Sequence, residues 1–165
     1  MASVLVPLAQ GCEELEAITI VDLLRRASIN VVTAGLEDGP VKASRGTVII
    51  PDKNINEVLD DDFDMIVLPG GLPGSDHLDN DPRIRELLVN MAKQGKYTAA
   101  ICAAPKVLAS TGLLKNKNAT GYPGVLDKMD VEGMRLQAIP VVKDGKVITS
   151  RGPGTAMDFA LTLIE

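Results

Sequence analysis

The side chain most suggestively placed for chemistry is Cys102, in the stretch "YTAAICAAPKVLAS" (residues 97–110). A β-rich run reaches the cysteine and passes without a linker into helix-forming residues. A strand that turns sharply into a helix exposes its corner side chain and aims the helix N-terminus at it. The N–H groups and dipole there favour thiolate over thiol. Pro105 suits the first helical turn, where its missing N–H costs nothing. Ala99, Ala100, Ala103 and Ala104 let backbone approach backbone. Two readings stand at this point: a nucleophile presented on an elbow, though without the G-x-S-x-G form, or a small buried core cysteine.

Acids come next. In "EELEAITIVDLLRRA" Glu16 is in line with Ile20, Leu23 and Ala27, so it lies on or beside an apolar helix face. A carboxylate there is desolvated, and its pKa rises unless it is paired; in protonated form it could donate a hydrogen bond to a thiolate. Glu13 and Glu14 read as first-turn acids that complement the helix dipole and face water. "LPGGLPG" (68–74) is either a plain turn or a set of backbone amides, Gly70 and Gly71 among them, forming an oxyanion hole. It is neither a dinucleotide fingerprint nor a P-loop. The single histidine, His77, sits in polar "GSDHLDN" and reads as a surface residue. "SRGPGT" (150–155) either binds an anion or, as the preferred reading, caps the last helix. Cys12 lies one helical turn before Glu16 and is either a small residue at a helix start or a resolving thiol.

These residues need a frame. "SVLVPLA", "NVVTAG", "FDMIVLPGG" and "YTAAIC" read as strands, and helices are expected from about Glu13 to Ser28, from Pro82 with Asp81 as cap and Gly95 past the end, after Cys102, and from near Pro153 to Glu165. "VKASRGTVIIP" suggests two short strands bent at Arg45 and Gly46, and "AIPVVKDGKVITS" a hairpin turning at Asp144-Gly145. Apolar strands alternating with helices indicate an α/β fold, a mostly parallel sheet covered on both faces. Ligands then sit beyond the carboxyl ends of the strands, where "LAQGCEELE", "VLPGGLPG" and "AAICAAP" fall.

Totals narrow the function. The 165 residues fit one domain, residues 1–165, and a net charge of -5 with 2% aromatics speaks against nucleic acid as the main partner. No signal peptide and no span of about 20 apolar residues is seen, so a soluble cytoplasmic protein with no membrane partner is expected. Two cysteines and one histidine are too few for a disulfide framework or a zinc site.

Taken together, "GCEELEA", "VDLLRRA", "SRGTVIIPD", "DMIVLPGG", "AAICAAP", "DKM" and "ITSRGPGTAMDFAL", in this order over nearly the whole chain, resemble the ThiJ/PfpI superfamily. The likeness is to the branch holding the Parkinsonism-associated protein deglycase and bacterial oxidative-stress chaperones. The resemblance implies a flavodoxin-like, class I glutamine amidotransferase-like three-layer sandwich that forms a homodimer. It implies Cys102 as the reactive thiol, Glu16 as the protonated acid beside it, and Gly70 and Gly71 at the amides facing sulfur. Arg45 and Arg26 match arginines near the pocket and dimer interface. The protease-like branch has a histidine after the cysteine; here Ala103 stands there, which speaks against a Cys-His peptidase or amidase. Tyr122 stands where the deglycase branch often has a histidine, and relatives usually continue past the position of Glu165 with another helix. The resemblance implies a cofactor-independent glyoxalase or deglycase acting on a small aldehyde such as methylglyoxal or on glycated protein, with Gly70, Ala103, Tyr122, Arg45 and Arg26 around the substrate. Its alternative is a non-turnover redox sensor or stress chaperone whose Cys102 is oxidised to sulfinic acid.

Overall fold

A computed structural model describes residues 1–165. The chain runs β1 (Ser3–Leu8), α1 (Glu14–Arg26), β2 (Asn30–Gly35), β3 (Val41–Lys42), β4 (Val48–Ile49), β5 (Lys53–Asn54), β6 (Met65–Leu68), α2 (Gly74–Asn80), α3 (Pro82–Lys93), β7 (Tyr97–Ile101), α4 (Pro105–Ser110), β8 (Asn118–Ala119), β9 (Arg135–Leu136), β10 (Val141–Asp144), β11 (Val147–Ser150) and α5 (Ala156–Ile164). Seven strands make one sheet in the order β10-β11-β7-β6-β1-β2-β5. All neighbours are parallel except the β10–β11 hairpin, whose turn is at Asp144-Gly145.

Alternation along each strand divides the core. Val4, Val6, Leu8, Met65, Val67, Ala99 and Ile101 face α1 and α5, whereas Leu5, Ile66, Leu68 and Ala100 face α3 and α4. The central strands are buried on both faces, which is why their sequences read as continuous apolar runs rather than alternating ones. On α1, Ala17, Ile20, Val21 and Leu24 turn inward; a side chain such as Ile20 or Leu24 contributes about 1.5–3 kcal/mol by leaving water. The flavodoxin-like three-layer arrangement is thus present. No helix is long and apolar enough to cross a membrane.

Several expected boundaries shift. Helix α1 starts at Glu14 with Glu13 as its cap, accepting from Glu16 N–H at 2.8 Å, and ends at Arg26. The last helix is preceded by a 3-10 turn at Pro153–Thr155. Helix α3 has Asp81 as cap, Pro82 in its first turn and Gly95 at φ +73°, as its sequence signals require. Polar "GSDHLDN" is a helix, α2, that the sequence reading left unassigned; its Leu78 is buried among the residues of the α3 side. The short pair β8–β9 was likewise not expected.

Glu14 departs from its solvent-facing reading. Its carboxylate accepts from Arg45 N–H at 2.8 Å, Thr47 N–H at 3.1 Å and Ser44 Oγ at 3.2 Å, tying the β3–β4 hairpin to the start of α1. Partial burial raises the Glu14 carboxyl, but the amides of Thr47 and Arg45 outweigh it, so the net shift is downward. The anchor is therefore complete above the ordinary glutamate value of about 4.3 and fails as pH falls through the lower folded value. Glu14→Ala is expected to speed hydrogen exchange at the Arg45 and Thr47 amides several-fold, with exchange at Gly70 unchanged; equal protection in the variant would show that the hairpin holds itself.

Candidate active site

Parallel strands carry their carboxyl ends to one edge, and β1, β6 and β7 are neighbours, so three loops converge there. Cys102 follows β7 directly with φ +66°, in the left-handed region that a residue with a Cβ rarely enters. Its own N–H donates to Ser150 O at 3.0 Å, its carbonyl accepts from Tyr122 N–H at 2.8 Å, and Ala104 N–H closes back on Ile101 O at 3.1 Å. The strand-to-helix corner is thereby fixed from both sides. Pro105 lies in the first turn of α4, as its ring requires.

Glu16 reaches the same place from the first turn of α1. It is fully buried, and its Oε1 accepts from Gly70 N–H at 2.9 Å. Its Oε2 has no well-aligned hydrogen-bond partner, while the Cys102 thiol lies within interaction range of the carboxyl. Gly70 is the hinge of the assembly: a Cβ there would fall 2.6 Å from both Cys102 Cβ and Glu16 Oε1 and 2.7 Å from Ile101 O. Gly71, at φ +92°, is hemmed in by the backbone of Gly11, Cys12 and Glu13, and Gly70 O accepts from Glu13 N–H at 2.9 Å. Loop 69–74 and the start of α1 are thus pressed together with no room for side chains.

Charge in this pocket is shared. Burial pushes Glu16 up to about 7, opposed mainly by the Gly70 amide. Cys102 is pushed up to about 12, first by burial and then by the charge of Glu16 and its hydrogen bond; the Gly71 and Ala103 amides pull the other way. The amides expected to favour thiolate are outweighed, first by burial and then by the charge of Glu16. Near neutral pH the two groups hold at most one negative charge between them. A thiolate forms only when Glu16 takes up a proton, and a protonated Glu16 reverses its effect by donating to sulfur.

The other residues named from the sequence fall at different places. Ala103 is buried, and its amide acts on the sulfur. Tyr122 is bonded to the corner through its backbone, while its ring is 52% exposed and lies over Gly152. Arg45 is held through its backbone by Glu14, the first residue of α1, with its guanidinium in solvent. Arg26 is in the last turn of α1, about 15 Å along the helix from Glu16, and pairs with Asp22 at 3.0 Å. His77 is exposed on α2. Cys12 is buried and unbonded to another cysteine, and burial together with Glu14 and Glu13 pushes it up to about 11. The "SRGPGT" loop supports the elbow instead of offering a free anion site: Ser150 Oγ and Thr155 Oγ1 are 2.7 Å apart, and Thr155 Oγ1 accepts from Gly152 N–H at 3.1 Å. Ser150 as the carbonyl partner of Cys102 had no sequence signal, since any residue could supply it. Cys102 and Glu16 line none of the five main cavities, so chemistry marks the site more than concavity does.

If the pair shares one charge, alkylation of Cys102 by iodoacetamide should rise through an inflection near pH 7, where the pair first loses a proton. In Glu16→Gln that inflection should vanish and reactivity should move to the higher pH of a buried thiol. Retention of the inflection in Glu16→Gln would assign it to another group.

Residues 2–165 match the model of the DJ-1/PfpI family. Protein dj-1beta of Drosophila melanogaster is 46% identical over 164 residues, covering 99% of this chain and 88% of that protein. The Caenorhabditis elegans protein named glutathione-independent glyoxalase DJR-1.2 is 40% identical, covering 99% and 87%. The crystal structure of Drosophila DJ-1beta superposes with a TM-score of 0.94 at 45% identity, over 99% of this chain and 89% of that one. An oxidized Toxoplasma gondii DJ-1 does so at 0.94 and 40% identity, over 100% and 90%. With these matches along almost its whole length, the chain belongs to the DJ-1/PfpI family.

Proposed function

We propose that this protein is a cysteine-dependent enzyme acting on small 2-oxoaldehydes, methylglyoxal or its early adducts with protein thiols and amines, and that it needs no cofactor. The observation that carries this reading is the fully buried Glu16, with one carboxyl oxygen unpartnered, beside the thiol at the strained corner. A carboxyl near pH 7 is matched to moving protons at neutral pH. As Cys102 Sγ adds to the aldehyde carbon, Glu16 takes the thiol proton and returns it to the new oxyanion, which the Gly71 N–H stabilises. Glu16 then removes the hydrogen of that carbon as a proton and delivers it to the neighbouring carbonyl carbon through an enediol. The resulting thioester reacts with water to release lactate and the free thiol. Methylglyoxal plus water gives lactate, so no outside oxidant or reductant enters. The relative named a glutathione-independent glyoxalase supports this chemistry.

A second reading, a redox sensor or stress chaperone without turnover, draws on the same amides. Gly71 and Ala103 N–H could hold a sulfinate at Cys102, and a solved relative is described as oxidized. Purified protein incubated with methylglyoxal is expected to form lactate, reduced by at least about 100-fold in Cys102→Ser or Glu16→Gln. Lactate surviving either substitution would sink the mechanism. No lactate, with peroxide converting Cys102 to sulfinic acid ahead of Cys12, would favour the sensor.

A homodimer belongs to the same proposal. Leu15 and Ile18, one turn apart on α1, are 50% and 47% exposed, and Val48 and Ile50 on the hairpin that Glu14 anchors are 61% and 81% exposed. Such an apolar face beside the site suits a second copy of the chain. Light scattering should give about twice the 17.5 kDa chain mass, and Leu15→Asp with Ile18→Asp should return it to one. A single-chain mass for the unaltered protein would reject the dimer.

A further inference from the structure

The segment that follows β8 lines an open surface cavity of about 240 Å³. Tyr122, whose N–H holds the Cys102 carbonyl, stands in its wall with Thr120, Leu126, Asp127, Gln137 and Arg151. Arg151 is half-buried, and its guanidinium forms no ion pair and no side-chain hydrogen bond in a chain where nine other salt-bridge contacts are made. Asp127, exposed at the rim of the same space, pairs with no cation and accepts only from Gly124 N–H, at 3.2 Å. Thr120 is 1% exposed, and its hydroxyl has no partner, although buried hydroxyls are normally satisfied.

An arginine and an aspartate that line one open cavity gain little by pairing across solvent, so both charges stay available to a ligand there. The cavity is smaller than the roughly 300–1,000 Å³ of drug-sized ligand sites. The planar guanidinium is shaped for a carboxylate, which it can bind through two N–H donors. The opposing carboxylate calls for an ammonium. Leu126 adds an apolar wall for a short aliphatic side chain. We propose that this cavity binds a small zwitterionic α-amino acid, its carboxylate on Arg151 and its ammonium toward Asp127, with Thr120 and Gln137 available to complete its hydrogen bonds. The proposal does not depend on what Cys102 does. Its link to the corner is structural, because the Tyr122 amide that lines the cavity is the one that holds residue 102.

The test is a titration of ¹⁵N-labelled protein with L-alanine, following the amides of Gly121, Tyr122 and Arg151. Propionate, which lacks the ammonium, and ethylamine, which lacks the carboxylate, serve as comparison probes. Saturable shifts confined to this segment are expected with alanine, and weaker binding with either comparison probe. Arg151→Gln should weaken alanine by at least about tenfold. Asp127→Asn should abolish the preference for alanine over propionate, with the rest of the spectrum unchanged in both variants. Propionate binding as tightly as alanine, alanine binding undiminished in Arg151→Gln, or no shift at all would overturn the proposal.

Discussion

Residue 102 carries a side chain yet is held at φ +66°, and much of the carboxyl edge of the sheet serves to keep it there. A left-handed conformation costs a residue with a Cβ about 1–2 kcal/mol. Three backbone hydrogen bonds oppose that cost, one to β11 through Ser150, one from Tyr122, and one back to Ile101 within the turn itself. Each comes from a different part of the chain, so the strain is spread over the fold. The conformation turns the thiol out of the strand and toward α1, where Glu16 waits. Had Cys102 continued β7 in extended geometry, its side chain would have followed the alternation of Ala100 and Ile101 into the sheet's own packing.

Burial then determines what the thiol can do. The cysteine and glutamate are withdrawn from water together, and neither has a permanent cation beside it. A buried anion without a counter-charge is unstable, so the pair accepts at most one charge near neutral pH and passes the proton between its members. Gly70 sets the distance over which this occurs. Its amide fixes one carboxyl oxygen, and the absence of a Cβ lets the thiol and the carboxyl meet across its backbone. Gly71 and Gly74 serve the neighbouring contact, where any side chain would strike the backbone of residues 11–13.

Much of this frame was legible in the sequence, because it rests on periodicity and punctuation. Asp81, Pro82 and Gly95 bracket α3, and the apolar runs of β1, β6 and β7 announce buried parallel strands. Cys102 and Glu16 could be paired because one ends a strand and the other lies on an apolar helix face. What stayed hidden depends on tertiary contact. Helix α2 is polar over most of its length and is ordered by packing at Leu78, and β8 and β9 are two residues each. Glu14 looked like a solvated first-turn acid because its hairpin partners are some thirty residues away. The charge state of Cys102 depends on tertiary contact in the same way. A helix dipole and an acid on an apolar helix face can both be read from local sequence, but the depth of burial that raises the thiol against the dipole cannot.

The elbow turn is flanked on both sides by alanines, so no titratable side chain adjoins Cys102 in the chain. Ala103 and Ala104 are 4% and 0% exposed beneath the turn, and Ala99 and Ala100 are fully buried in the strand before it. His77, the chain's one histidine, is out on α2. Tyr122 touches the corner through its main chain and leans its ring on Gly152. Glu16 is consequently the one side chain placed to move the proton of Cys102. In the proposed reaction a single acid–base group serves in both directions, as acceptor when sulfur adds to a carbon and as donor immediately afterwards. A carboxyl raised to about 7 is suited to both roles at neutral pH, whereas an ordinary glutamate, ionised throughout that range, could serve only the first.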